Sequence, residues 1–163
     1  MGSASEHKEA TLDFPSDLEM RIMRTLNAPR RLVWVAWTDP KHIPNWLFGP
    51  PGWSMPECHV ELRVGGTYRF VYKSPAGETG MILSGEYLSV TPIDQLKSKE
   101  TWGEPWPWTH NTIDFTDLGA RTRVAVTMKF ESKEQRDAAA ATGAKDGMEM
   151  GFKRLEEYAA TMG

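Results

Sequence analysis

This sequence lacks most of the features by which a function announces itself. It holds one cysteine, Cys58, in 163 residues. That excludes an internal disulfide, and no Cys/His spacing of the zinc-binding kind accompanies it. A reducing, cytoplasmic compartment is the expectation. Charge of neither sign is in excess, with 19 Lys and Arg against 22 Asp and Glu and a net charge of -3. Without a basic stripe there is no footprint for nucleic acid or for an anionic membrane surface. No apolar run approaches the ~20 residues of a membrane-spanning helix, and the chain does not open on the positive start and apolar stretch of a secretory signal. Gly2 suggests N-myristoylation, but Glu6 stands where that motif wants serine or threonine. A phosphate-binding loop, a dinucleotide fingerprint and a Ser-His-Asp order are missing, as are internal repeats. No cofactor and no metal is expected.

What is present is tryptophan, seven residues of it, and one stretch organises their placing. From Asn27 to Trp53, Pro29 opens a short helix whose apolar residues are Leu32, Val33, Trp34, Ala36 and Trp37. Asp39-Pro40 ends it, since proline disfavours a helical residue before it. Asp39 is then expected to cap a second short helix, with Pro40 at its first position and Ile43, Trp46, Leu47 and Phe48 on its apolar side. Gly49-Pro50-Pro51-Gly52 closes the unit. Helices this short are unstable alone, so the unit must lie against something larger.

That larger object is a sheet. Residues 1–17 form a polar arm, expected to be disordered or tacked down by Leu12 and Phe14, and the remainder, 18–163, is one domain. A first strand covers Leu18 to Leu26. Met55 to Arg63 and Thr67 to Lys73 pair across Val64-Gly65-Gly66, with Tyr68, Phe70 and Tyr72 on one face and Arg69, Val71 and Lys73 on the other. Met81 to Val90 is apolar on both faces, so alternation leaves its orientation open. Gln95 to Trp102 turns Leu96, Ser98, Glu100 and Trp102 inward, and Thr109 to Thr116 and Arg121 to Phe130 complete the strands. Ser132 caps a helix to Thr142. A last helix, from about Lys145 to Thr161, carries Met148, Phe152, Leu155, Ala159 and Met162 on one stripe, with Lys153, Arg154, Glu156 and Glu157 turned to water.

The order Ala28-Pro29, Val33-Trp34, Ala36-Trp37-Thr38-Asp39-Pro40, Trp46, Gly49-Pro50, Gly52-Trp53 and Leu62-Arg63-Val64-Gly65-Gly66 resembles the family related to the activator of the heat-shock-protein-90 ATPase. That family falls in the START-like, pollen-allergen-like superfamily. The resemblance implies an α+β helix-grip fold: a curved antiparallel seven-stranded sheet wrapped around the long C-terminal helix, with two short helices between strands one and two. The superfamily hosts carriers, cyclases and chaperone activators alike, so function must be argued from the site.

Three readings follow. In the first, a small apolar or aromatic molecule sits in a cavity between sheet and terminal helix, held by Trp37, Trp46, Trp53, Cys58, Phe70, Trp102, Trp106, Met128, Met148 and Phe152. Aromatic rings suit a flat ligand, and thioethers adapt to irregular shapes. The bland alternative makes Trp34, Trp37 and Trp46 core, and Cys58 an inert small hydrophobe. In the second, Glu100 and His110 form an acid/base pair for cofactor-free cyclase or hydrolase chemistry, Glu100 having its pKa raised by burial; against it stands a slip of one residue, which returns Glu100 to solvent. The third, from the family name, is chaperone ATPase activation, although the eukaryotic activators resembled carry an additional N-terminal domain where this chain has a short arm. Glu57, His59 and Glu61 belong to the wet face. A homodimer is compatible with the pattern, but no heptad seam declares one.

Overall fold

In the computed structural model, residues 9–162 are described. Eight strands form a single antiparallel sheet: β1 (Thr11–Ser16), β2 (Glu19–Leu26), β3 (Ser54–Val60), β4 (Thr67–Lys73), β5 (Thr79–Thr91), β6 (Gln95–Thr101), β7 (Thr109–Asp117) and β8 (Thr122–Lys129). Their spatial order is β1-β2-β8-β7-β6-β5-β4-β3. Three helices complete the chain: α1 (Arg30–Thr38), α2 (Lys133–Ala141) and α3 (Ala144–Met162). β2 lies beside β8, so the first long strand closes against the last and the two-element excursion after it reaches the far edge.

Two expectations need correction. The sheet has eight strands rather than seven, because Leu12 in the arm pairs with Ile22 and Thr11 with Met23. Arg21 Nε donates to Asp13 at 3.0 Å and the Arg136 guanidinium lies 4.2 Å over Phe14, so polar and aromatic contacts anchor a segment with little apolar alternation. The second short helix is a single 3-10 turn, Ile43–Asn45. Pro44 lies inside the expected helix, lacks an amide and disfavours helical backbone at Ile43. Asp39 Oδ1 instead accepts from the Lys41 amide at 2.8 Å.

The open orientation of β5 has a mechanical answer. Its register against β6 slips between Tyr87 and Ser89, which leaves Leu88 as an extra, exposed residue. Leu83, Gly85 and Tyr87 face the core, and after the bulge Val90 pairs with buried Leu96. An apolar residue on each face is what a strand needs when it changes phase partway.

The core lies between the sheet and the helices. Trp34 and Trp37 pack edge-on to Phe115 at 5.4 and 5.7 Å, and Trp37 lies 4.8 Å from Trp46. The Trp46 indole donates to the Ala36 carbonyl at 2.8 Å, which satisfies the polar atom of a fully buried side chain. On α3, Phe152, Leu155 and Ala159 are buried, as the stripe requires, with Met148 and Met162 half-buried. The helix face expected in water is partly occupied. Arg154 donates to the Gly49 carbonyl at 2.5 Å and covers Phe48 at 4.0 Å, while Glu156 accepts from the Asn27 amide at 2.6 Å. No helix among the described residues is long and apolar enough to cross a membrane.

Candidate functional site

The buried face of β4 to β7 carries a polar cluster in an aromatic setting. Tyr68 from β4 hydrogen-bonds Glu100 Oε1 at 2.5 Å and Ser98 Oγ at 3.0 Å, both on β6. Asn111 from β7 donates its amide to the same carboxyl. Pairing explains the meeting: Tyr68 lies opposite Gly85, Gly85 opposite Glu100, and Ser98 opposite Asn111. Paired residues of neighbouring strands share a face. Gly85 makes room, since a Cβ there would lie 2.1 Å from Tyr68 Cζ. The Tyr68 ring therefore lies across β5 to reach Glu100.

Around the cluster, Tyr68 packs on Phe70 at 5.3 Å and on Tyr87 at 5.0 Å, and Tyr72 meets exposed Trp102 at 5.6 Å. Trp102, Trp106 and Trp108 are the exposed aromatic rings at this end of the sheet, and Lys99 lies 5.7 Å over Trp108. A path of aromatic surface thus runs from solvent at Trp102 through Tyr72 to Glu100.

Electrostatics favour neutral groups here. Burial raises the Glu100 pKa, an effect opposed by the hydrogen bonds from Tyr68 and Asn111. Glu100 as a residue keeps some accessible surface, being half-buried, but its carboxyl lies deep among protein atoms, and desolvation dominates. The Tyr68, Tyr72 and Tyr87 phenols are all pushed up, chiefly by burial and then by neighbouring acidic groups. Burial first and Asp39 second push the Cys58 thiol up to about 11, so it is a protonated, weakly reactive surface element and not a nucleophile.

A raised Glu100 pKa fixes a sign. The folded state holds the Glu100 proton more tightly than the unfolded chain does. This group therefore contributes no slope below its ordinary 4.5, and above that value rising pH favours unfolding until Glu100 ionises in the folded protein. Glu100→Gln is expected to flatten that fall above the ordinary carboxyl value of 4.5 in urea denaturation. Its amide can keep the Tyr68 contact and donate to Asn111. An unaltered slope would show that Glu100 is not desolvated.

The expected site residues divide into three groups. Trp37, Trp46 and Phe152 belong with Phe115 in the core under α1. Asn111 lies four residues from Phe115 along β7, about 13 Å away at ~3.3 Å per residue. Phe70 shares β4 with Tyr68, while Cys58 on β3 pairs with Phe70 and Met128 on β8 pairs with Asn111, each one strand outside the polar cluster. Trp53 lies over Gly80, where a Cβ would meet its ring at 2.3 Å; Trp102 and Trp106 are at the exposed rim, and Met148 is half-buried on α3. Glu100 and His110 do not meet. Lys99, not Glu100, is the partner of His110, which is exposed on the outer face, so the acid/base pair is corrected. Tyr68 and Asn111 were not singled out by the sequence; only their inward alternation signalled them. Glu57 pairs with Arg69 at 3.0 Å on the outer face, and no metal-holding cluster occurs among the described residues.

Two hollows stand out among the described residues. One, of about 390 Å³, is an open groove between α1 and the end of β3, lined by Trp34, Val35, Thr38, Asp39, Pro40, Val60 and Leu62. The other, of about 250 Å³, lies where the start of α1 meets Ala159 and Ala160 of α3. Neither includes Tyr68, Glu100 or Asn111.

The family model described as Activator of Hsp90 ATPase homolog 1-like protein matches residues 27–160. The chain belongs to this family. Among solved structures, a protein from Rhodobacter sphaeroides is similar at 29% identity and a TM-score of 0.88, over 94% of this chain and 99% of that one. One from Nitrosomonas europaea is 26% identical with a TM-score of 0.80, over 91% and 98%. A protein from Arthrobacter aurescens, 24% identical over 93% and 91% with a TM-score of 0.78, shares the fold. None of the curated proteins matches the chain. The helix-grip architecture is thus common to the chain and these relatives, while the cluster under Trp102 has to be argued from its own chemistry.

Proposed function

We propose that this member of the family is a binding protein for a small apolar or aromatic molecule, seated against Tyr72, Tyr87, Cys58 and Met128 and entering past Trp102 and Trp106. The observation that carries the reading is the desolvated Tyr68–Glu100–Asn111 cluster within aromatic surface. Buried polar groups are expensive, and a fold that needed only a core would do as well with apolar residues there. Cys58 and Met128, one strand outside the cluster on either side, are half-buried and retain surface, and methionine side chains move at little cost to admit a ligand. The lone, protonated thiol suits a reducing compartment.

N-phenyl-1-naphthylamine, a neutral probe that brightens in apolar surroundings, is the test. Binding is expected, and Trp102→Ala should weaken it by up to about tenfold, the value of one lost aromatic contact. Absence of binding, or wild-type affinity in both Trp102→Ala and Trp106→Ala, would remove the site from this end of the sheet. Native mass spectrometry of freshly purified protein adds the natural ligand. A mass that changes on incubation would favour chemistry by Glu100 over simple carriage.

A further inference from the structure

The polar cluster has a hydrogen-bond arithmetic with a remainder. Tyr68 has one phenolic proton and two close partners. The 2.5 Å contact to Glu100 takes it, and the Ser98 hydroxyl, 3.0 Å away, then donates to the phenol oxygen. The amide of Asn111 also donates to Glu100. Ser98, Tyr68 and the Asn111 amide group thus all direct their protons along one chain that ends on the Glu100 carboxyl. This leaves Asn111 Oδ1, on a residue only 6% exposed, buried with no hydrogen-bond partner among the described residues. The Asn111 NH2 faces the Glu100 carboxyl and supplies its hydrogen bond, and Oδ1 is the end left over.

We infer that the ligand of this site is an apolar or aromatic molecule carrying a neutral hydrogen-bond donor, a hydroxyl or N–H, which it gives to Asn111 Oδ1. The inference rests on the binding function proposed above and specifies its ligand class. A buried acceptor without a donor costs free energy, and a donor that fills it recovers that cost on binding, which makes the discrimination large against an isostere without the proton. Asn111 lies between Ser98 and Met128 in the sheet, so the donor would arrive beside a deformable thioether rather than a rigid ring.

The surroundings also disfavour carboxylate ligands. An anionic head group would bring acceptors to an acceptor and a charge to the neighbourhood of Glu100. The basic side chains that might have balanced it are committed elsewhere. Arg24 is paired with Glu149 and Glu156 at 3.4 and 3.6 Å. Arg154 serves Gly49 and Phe48, and Lys99 lies against Trp108. Fatty acids and aromatic acids are therefore the wrong class, and phenols, alcohols and secondary amides the right one.

The experiment compares three probes of one ring system, 1-naphthol, 1-methoxynaphthalene and 1-naphthoate, titrated against the full chain at neutral pH with calorimetric detection. The naphthol is expected to bind at least about tenfold more tightly than either other probe. Asn111→Leu should abolish that preference by weakening the naphthol more than the ether. Equal affinity for naphthol and ether in the wild-type protein would overturn the inference and leave the binding function standing, and so would a preference that survives in Asn111→Leu. Tightest binding by naphthoate would overturn it too. Failure of all three probes to bind would take the proposed function down with it. Should Asn111→Leu not fold, the wild-type comparison decides, with Asn111→Ser as the second variant, expected to retain a reduced preference.

Discussion

Gly85→Val is expected to be the most damaging single substitution on the strands. A Cβ at this position would lie 2.1 Å from Tyr68 Cζ and 2.5 Å from its hydroxyl oxygen. Tyr68 is a buried side chain held by two hydrogen bonds, so it has no cheap exit. Overpacking of this kind costs roughly 1–3 kcal/mol, and leaving Glu100 and Ser98 without the phenol adds about 1–3 kcal/mol more. The sum is a large part of the roughly 5–15 kcal/mol that holds a domain together, and a fall in Tm of about 4–24 °C follows from ~2–4 °C per kcal/mol. Shortening the ring should rescue it: Tyr68→Leu combined with Gly85→Val is expected to be more stable than Gly85→Val alone, a coupling read from a double-mutant cycle. Wild-type melting by Gly85→Val would mean that Tyr68 does not lie across β5. Gly80 provides the contrast. A Cβ there would meet the Trp53 ring at 2.3 Å, but Trp53 is half-buried at the rim and can swing aside, so Gly80→Ala should cost far less.

Arg24→Ala is the second large effect. The Arg24 side chain is only 4% exposed and lies between Glu149 and Glu156, at 3.4 and 3.6 Å. These carboxylates are seven residues apart on α3, two turns on one face. Each also accepts a backbone amide of the sheet side, Glu149 from Ala10 and Glu156 from Asn27. The trio therefore joins the residue before β1, β2 itself and the residue after β2 to the terminal helix. Removing one partner of a buried pair costs about 3–5 kcal/mol, and the lower end applies here because Glu149 and Glu156, left without the guanidinium, are half-buried. Urea denaturation at neutral pH measures this, and the loss should persist in high salt, which screens buried charges poorly. A change under about 1 kcal/mol, the size typical of an exposed pair, would show that the helix is held by its apolar stripe alone. Arg24→Lys should recover only part, since one ammonium cannot reach both carboxylates with the guanidinium's fork.

Much of the architecture was legible in the chain before folding, and the reasons are local. Tyr68, Phe70 and Tyr72 alternate cleanly in β4, and Ser132 caps α2 with its hydroxyl accepting from the Gln135 amide at 3.1 Å. The stripe of α3 found the core at Phe152, Leu155 and Ala159. Where local pattern was weak, the expectation failed or stayed open. β1 has little apolar alternation and exists because β2 offers it an edge. The turn at Ile43–Asn45 is short because Pro44 outweighs the apolar spacing around it. β5 could not be assigned because a bulge at Leu88 changes its phase, and a bulge depends on the partner strand.

By itself the sequence determined the succession of most elements, their amphipathic faces and the inward turn of Glu100. These follow from periods of two and 3.6 residues and from the inventory of side chains. The tertiary structure alone decided that Glu100 meets Tyr68 and Asn111 and that His110 lies on the other face, because contact across strands depends on register, and a shift of one residue exchanges the faces. It alone separated Trp37, Trp46 and Phe152, packed as core around Phe115, from Trp102 and Trp106 at the rim. A tryptophan is equally suited to filling a core and to meeting a ligand; which it does is set by what lies on its far side.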